Sequence, residues 1–113
     1  MDIDNLPPLW LDHVNIPSQD PELLAQWYAD RLGIERRERT QVIGPGISLF
    51  FTKAAPLNAG DKFHFGFRVE NKSAVETWAE HLGVAVAFDE HDFFAARVTD
   101  PDGNIFEIYW DKY

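Results

Sequence analysis

The 113 residues contain no cysteine, which removes disulfides, thiolate nucleophiles and every zinc or iron–sulfur site built on sulfur. Any metal must therefore be held by histidine and carboxylate. Basic residues are also scarce: 10 Lys and Arg stand against 19 Asp and Glu, for a formal charge of -9. Such a chain repels phosphates, so neither nucleic acid nor an anionic membrane surface is expected as a partner. No apolar run approaches membrane-spanning length, and Met1 to Leu9 has neither the basic start nor the apolar centre of a secretion signal, so a cytoplasmic location is expected. What is present is largely apolar. A hydrophobic content of 45% with 14% aromatics is too high for a disordered chain, and the length suits one domain, 1–113, with one core.

In chain order, Leu9 to Ile16 reads as a strand with Leu11, His13 and Asn15 on one face. A helix follows, with Asp20 as N-cap, Pro21 in the first helical position, Gly33 as the stop, and Leu24, Trp27, Tyr28 and Leu32 as its buried stripe. Ile34 to Val42 is strand-like but carries Arg36, Arg37, Glu38 and Arg39, which implies a wet face or a sheet edge. Gly44-Pro45-Gly46 turns the chain into a strand over Ile47 to Lys53, and Ala54 to Asp61 reads as a connection.

The second half starts like the first. Phe63 to Val69 alternates strictly, with His64, Gly66 and Arg68 on one face and Phe63, Phe65, Phe67 and Val69 on the other. A second helix is expected from about Lys72 to Leu82, with Ser73 and Glu76 at capping-box spacing, a stripe of Val75, Trp78, Ala79 and Leu82, and Gly83 as the stop. Strands over Val84 to Asp89 and Phe93 to Thr99 follow, then the Asp100-Pro101-Asp102-Gly103 turn and a last strand. Each half, about 9–53 and 62–110, thus reads as strand, helix and two or three strands. The expectation is an α+β fold: two βαβββ modules forming an open, curved mixed sheet around a cleft.

The last strand raises the chemical question. Ile105, Phe106, Ile108, Tyr109 and Trp110 surround one carboxylate, Glu107. A carboxylate walled in by apolar side chains costs several kcal/mol unless a cation or hydrogen-bond donors satisfy it, so Glu107 needs a partner from elsewhere. His13 and His64 occupy similar settings. Two imidazoles and a carboxylate form the facial set that leaves coordination positions open on Fe(II) and also suits other divalent ions. His81, in the last turn of the second helix, and His91, among Asp89, Glu90 and Asp92, read as a dipole-stabilised and a solvated residue.

L-D-H-V-N-I, the helix with W-Y-A-D-R-L-G-I, then F-H-F-G-F-R-V and D-P-D-G-N-I-F-E-I-Y together resemble the vicinal oxygen chelate superfamily from Leu11 to Trp110. That group includes glyoxalase I, extradiol dioxygenases, fosfomycin-resistance thiol transferases and bleomycin-resistance proteins. The resemblance implies His13, His64 and Glu107 as ligands of a divalent metal (Fe2+, Mn2+, Ni2+ or Zn2+) and a small-molecule substrate that chelates it through adjacent oxygens. It also implies a homodimer, with exchanged modules in some members, so that His13 of one chain meets His64 and Glu107 of the other.

Departures from the family pattern narrow the activity. I-S-L-F-F-T-K lacks the fourth ligand of the isomerases and the acid/base histidine of the dioxygenases, and Arg97 stands where the latter have a tyrosine. Arg97 and Asn15 are the expected substrate-orienting residues, with Arg68 and Tyr109 on the same cleft face. The competing expectation is a metal-free binding protein, in which His and Glu satisfy one another and the aromatic cleft sequesters a flat hydrophobic compound.

Overall fold

A computed structural model describes residues 3–57 and 62–113; the last four residues of the expected connection, 58–61, lie outside the described residues. After a short 3-10 turn at Ile3–Asn5, the elements run β1 (Val14–Ser18), α1 (Pro21–Leu32), β2 (Glu35–Arg37), β3 (Gln41–Gly44), β4 (Ile47–Lys53), β5 (His64–Arg68), α2 (Lys72–Leu82), β6 (Val86–Asp89), β7 (Phe93–Thr99) and β8 (Ile105–Asp111). Each half is one βαβββ module with its own four-stranded mixed sheet, ordered β1-β4-β3-β2 and β5-β8-β7-β6. In both, the first strand pairs in parallel with the last, and the remaining pairings are antiparallel. The helix is the crossover that such a parallel pair requires.

Local chemistry sets the helix ends. The Asp20 carboxylate accepts the Leu23 amide at 3.2 Å, and Gly33 closes α1 in the left-handed region at φ 67°. On α2 the cap is Asn71, whose Oδ1 accepts the Ala74 amide at 2.8 Å, rather than Ser73, which already lies within the helix. Two strands differ from expectation. β1 starts at Val14, so His13 sits just before it. The charged stretch 34–42 is broken by Glu38 and Arg39, both at positive φ (53° and 66°), into β2 and the start of β3. Its arginines are solvated or locally paired, as with Arg36, whose Nε donates to the Arg39 carbonyl at 2.7 Å.

The two modules share one apolar core. Tyr28 of α1 is fully buried, stacked on Phe51 of the first sheet at 5.2 Å and tilted against Phe106 of the second at 5.6 Å. Phe65 and Phe67 crowd the same ring of Phe106 at 6.0 and 5.5 Å, so the strict alternation of β5 does turn its aromatic face inward. With 65, 67, 106 and 108 on the core side, the period of two leaves His64, Gly66, Arg68, Glu107 and Tyr109 on the opposite face of the second sheet.

Candidate functional site

That face holds the chemistry. β8 carries Glu107, β7 places Arg97 directly opposite it, and β5 runs along the other side with His64 and Gly66. Arg97 Nε donates to Glu107 Oε2 at 2.9 Å, while Glu107 Oε1 faces His64 Nε2 at 3.5 Å. Arg97 Nη2 lies 3.4 Å from His64 Nδ1. A guanidinium only donates, so that contact assigns Nδ1 as the acceptor and places the proton of a neutral ring on Nε2, toward the carboxylate. The partner that Glu107 requires is therefore an arginine and a histidine of its own module, and the glutamate side chain is only 11% exposed.

An open cavity of about 310 Å³ lies over the site, lined by His64, Phe65, Gly66, Arg68, Glu107 and Tyr109. Its far end is a second polar cluster. Arg68 donates to Asp111 Oδ1 at 2.9 Å and to the Asp111 carbonyl at 2.8 Å, and the Tyr109 hydroxyl donates to Asp111 Oδ2 at 2.9 Å. The Arg68 hydrogen bond, joined by that of Tyr109, holds the Asp111 carboxyl below its usual range. The same bond to Asp111 raises the Tyr109 hydroxyl. Aromatic rings continue the face: the Arg97 guanidinium lies 5.3 Å from the Phe88 centroid, and Phe93 stacks on Tyr109 at 6.2 Å.

The structure keeps His13 and Asn15 with the first module, His13 just before β1 and Asn15 within it. His13 Nδ1 is 2.9 Å from Asp12 Oδ2, its ring meets the edge of Phe50 at 5.4 Å, and its side chain is 54% exposed. Asn15 Oδ1 accepts from Thr52 Oγ1 at 2.7 Å. His13 lines a separate cavity of about 110 Å³ that shares Phe65 and Gly66 with the His64 cavity. Among the described residues no three His, Asp or Glu side chains converge as a metal-binding group. Within one chain, the three expected ligands thus divide into a facing pair and a separate histidine.

His81 bridges the helices, its Nε2 donating to the Arg31 carbonyl at 3.0 Å, and His91 is exposed. A larger groove of about 540 Å³ along α1 is lined by Asp20, Glu22 and Asp30, but these carboxylates answer the Leu23 amide, Arg39 and Gln26. The Asp-Pro-Asp-Gly-Asn stretch proves to be an anchor. Asp100, 4% exposed, accepts the amides of Asp102 and Asn104 and the Asn104 side chain, each at 2.9 Å, and the Tyr28 hydroxyl at 2.7 Å. Asp102 in turn accepts the Ser18 hydroxyl at 2.5 Å. The turn is thereby bonded to the other module while it sets the β7–β8 register.

The pairing of Arg97 with Glu107 is a relationship the linear reading missed. A tight turn centred on 101–103 fixes which residues of β7 and β8 oppose each other, and counting outward from Thr99 and Ile105 brings Arg97 against Glu107.

This architecture, two βαβββ modules with a polar face on the second sheet opposite the shared core, is that of the glyoxalase class of folds. The sequence profile described as the Glyoxalase/Bleomycin resistance protein/Dioxygenase superfamily matches residues 10–108, and the chain belongs to that superfamily. Among solved structures, it is similar to a lactoylglutathione lyase from Agrobacterium tumefaciens (TM-score 0.67, 19% identity, 92% of this chain and 95% of that one). It is also similar to a glyoxalase/bleomycin resistance protein/dioxygenase from Nocardioides (TM-score 0.69, 16% identity, 96% and 87%) and to the oxidase ChaP-H2 (TM-score 0.65, 21% identity, 93% and 95%). At these identities the likeness establishes the fold. A comparison with curated proteins finds no match.

Proposed function

We propose that the chain is a cytoplasmic, divalent-metal-dependent enzyme acting on a small substrate that binds the ion through two adjacent oxygens. Its ion would be held by His64 and Glu107 of one chain and His13 of a second copy. The observation that carries this reading is the convergence of His64 Nε2 and Glu107 Oε1, from two different strands, to 3.5 Å in an open cavity. An imidazole and a carboxylate so placed fit a divalent ion as two of its ligands, and one more imidazole completes a set that leaves positions open for a substrate. Fe2+, Mn2+, Ni2+ and Zn2+ all suit such donors. Bound there, the ion would supply Lewis-acid stabilisation of a developing enolate or oxyanion. The chain's own part is orientation, by Arg97 beside the carboxylate and by Asn15 on the strand that follows His13.

The exposure of the segment before the first sheet supports a second copy as the source of His13. Leu9, Trp10 and Leu11, which lead into His13, are 91%, 78% and 83% exposed, an apolar run rarely left in water. Among the described residues β1 and β5, the first strand of each module, each lie at one edge of their sheet and pair on one side only. An exchanged homodimer would cover these features and bring the ligands together.

Elemental analysis of protein purified without an affinity tag or chelator tests the assignment. The wild type is expected to carry more metal than His64→Ala or Glu107→Ala and to reach stoichiometry when a divalent ion and a chelating ligand are supplied; full occupancy in either variant rejects it. A second reading, metal-free sequestration of a flat hydrophobic compound, is favoured by one observation: Arg97, Glu107 and His64 already satisfy one another. Absence of metal in the wild type even with a divalent ion and a chelating ligand supplied, with saturable binding of such a compound, would decide for it.

A further inference from the structure

The metal reading meets an obstacle in Arg97, and the obstacle carries information about the substrate. Glu107 is the only carboxylate of the proposed ligand set, and its charge is already answered by the guanidinium that donates to Oε2 at 2.9 Å. Both charges of a divalent ion added between His64 and Glu107 would therefore be uncompensated. The contact of Arg97 Nη2 with His64 Nδ1 adds to this, because it favours the ring form whose Nε2 proton points where the ion would sit. Arg97 is also confined: it is 25% exposed and lies over the face of Phe88.

Arg68, the other arginine of this face, does not raise the problem. Asp111 takes its charge through both side chain and backbone, at the opposite end of the cavity. Arg97 alone shares its carboxylate with the proposed ion.

Resting on the metal reading, we propose that Arg97 is a charge lock that only an anionic chelating ligand releases: a small carboxylate with a second oxygen beside it, such as a 2-oxo or 2-hydroxy acid. Such a ligand brings the negative charge that the ion lacks at this site. It also offers Arg97 the planar pair of oxygens that a guanidinium fork matches best, in exchange for Glu107. Ion and ligand then bind as a coupled pair, each raising the affinity of the other by the same factor. A neutral chelator, giving the ion no charge and Arg97 no carboxylate, would be a poor ligand. Arg97 would thus set specificity for charge as well as orient the guest.

The test is Mn2+ binding, by equilibrium dialysis of the full chain with and without saturating oxalate, corrected for the Mn2+ that oxalate holds in solution. Wild type is expected to bind Mn2+ weakly alone and about tenfold or more tighter with oxalate, within the usual range of such couplings. Arg97→Met should bind Mn2+ alone about tenfold tighter than wild type and lose most of the oxalate effect. Arg97→Gln, which keeps a polar side chain without the charge, should do the same and guards against misfolding of the first variant. Glu107→Gln should abolish the site. Binding that Glu107→Gln removes but that both Arg97 variants leave unchanged, alone and with oxalate, would overturn the lock while sparing the metal reading. If no variant binds Mn2+ in a Glu107-dependent way under either condition, both fall together.

Discussion

Tyr28 of the first helix and Asp100 of the last turn, 72 residues apart, share a 2.7 Å hydrogen bond inside the core common to both modules. The carboxylate also collects donors from Asp102 and Asn104, so one side chain fixes both the β7–β8 turn and the docking of α1 against it. Asp100→Ala strands several buried donors at once and should cost about 3 kcal/mol or more. Tyr28→Phe leaves Asp100 with its turn donors and should cost about 1–2 kcal/mol. Urea unfolding with unchanged slope is the measurement; a loss below 0.5 kcal/mol for Asp100→Ala would be inconsistent with the anchor.

The same pair predicts a limit at alkaline pH. Burial, reinforced by the Asp100 charge and hydrogen bond, pushes the Tyr28 hydroxyl well above its ordinary value. In the unfolded chain tyrosine ionises near pH 10, about its free value, whereas folded Tyr28 keeps its proton. The stability gained is complete below that value and is lost as pH rises beyond it toward the folded one. Wild-type protein should therefore lose stability steeply above about pH 10, and Tyr28→Phe should lose measurably less over that range. Identical slopes would contradict a protonated, buried hydroxyl.

At the far end of the cavity, Asp111 is held below the usual carboxylate range first by Arg68 and then by Tyr109. Its carboxyl should titrate at lower pH than an unpaired aspartate, and Arg68→Met should move the midpoint upward. Removing the bond should also bring Tyr109 back toward an ordinary phenol in Asp111→Ala, since that bond is the main cause of its upward shift. Carbon-detected NMR titration of the side chains reads both, and an unmoved Asp111 midpoint in Arg68→Met would refute the assignment.

Site sharing between copies has a complementation test. Neither His13→Ala nor Glu107→Ala should hold metal alone, yet mixed dimers of the two should recover one site, because in the proposed arrangement one chain would contribute His13 and the other His64 and Glu107. Recovery of about half the wild-type metal content per mixed dimer is the expected outcome. No recovery, in mixtures shown by mass to have exchanged subunits, would place the ligands within single chains or dismiss the site. Trp10→Ser should weaken dimer formation in sedimentation equilibrium.

A smaller prediction separates two caps. Asn71→Ala should cost about 1 kcal/mol, because its Oδ1 holds the Ala74 amide, whereas Ser73→Ala should fall within about 0.5 kcal/mol. Thermal unfolding of the two variants checks it.

Much of the fold was readable from local pattern. Both helices end at their glycines, β4 and β7 run as expected, and the alternation of β5 separates an aromatic core face from the face bearing His64. The failures were also local: Ser73 had capping-box spacing but lies inside the first turn, whereas Asn71 immediately precedes it, and nothing in 34–42 announced left-handed backbone at Glu38 and Arg39.

For the site, the residue types alone required that Glu107 have a charged or hydrogen-bonding partner, since desolvation of a carboxylate is costly wherever it occurs. Which partner it takes depends on strand register and on distances between segments tens of residues apart, and those are set only when the modules pack. The sequence by itself determined two βαβββ modules, an acidic and thiol-free chain, and two histidines and a carboxylate as candidate ligands. Tertiary structure decided that Arg97 answers Glu107, that His64 faces the same carboxylate, and that His13 stands apart, against Phe50 of the first sheet. The physical reason is that periodicity assigns a side chain to a face, whereas a charge finds its partner through space.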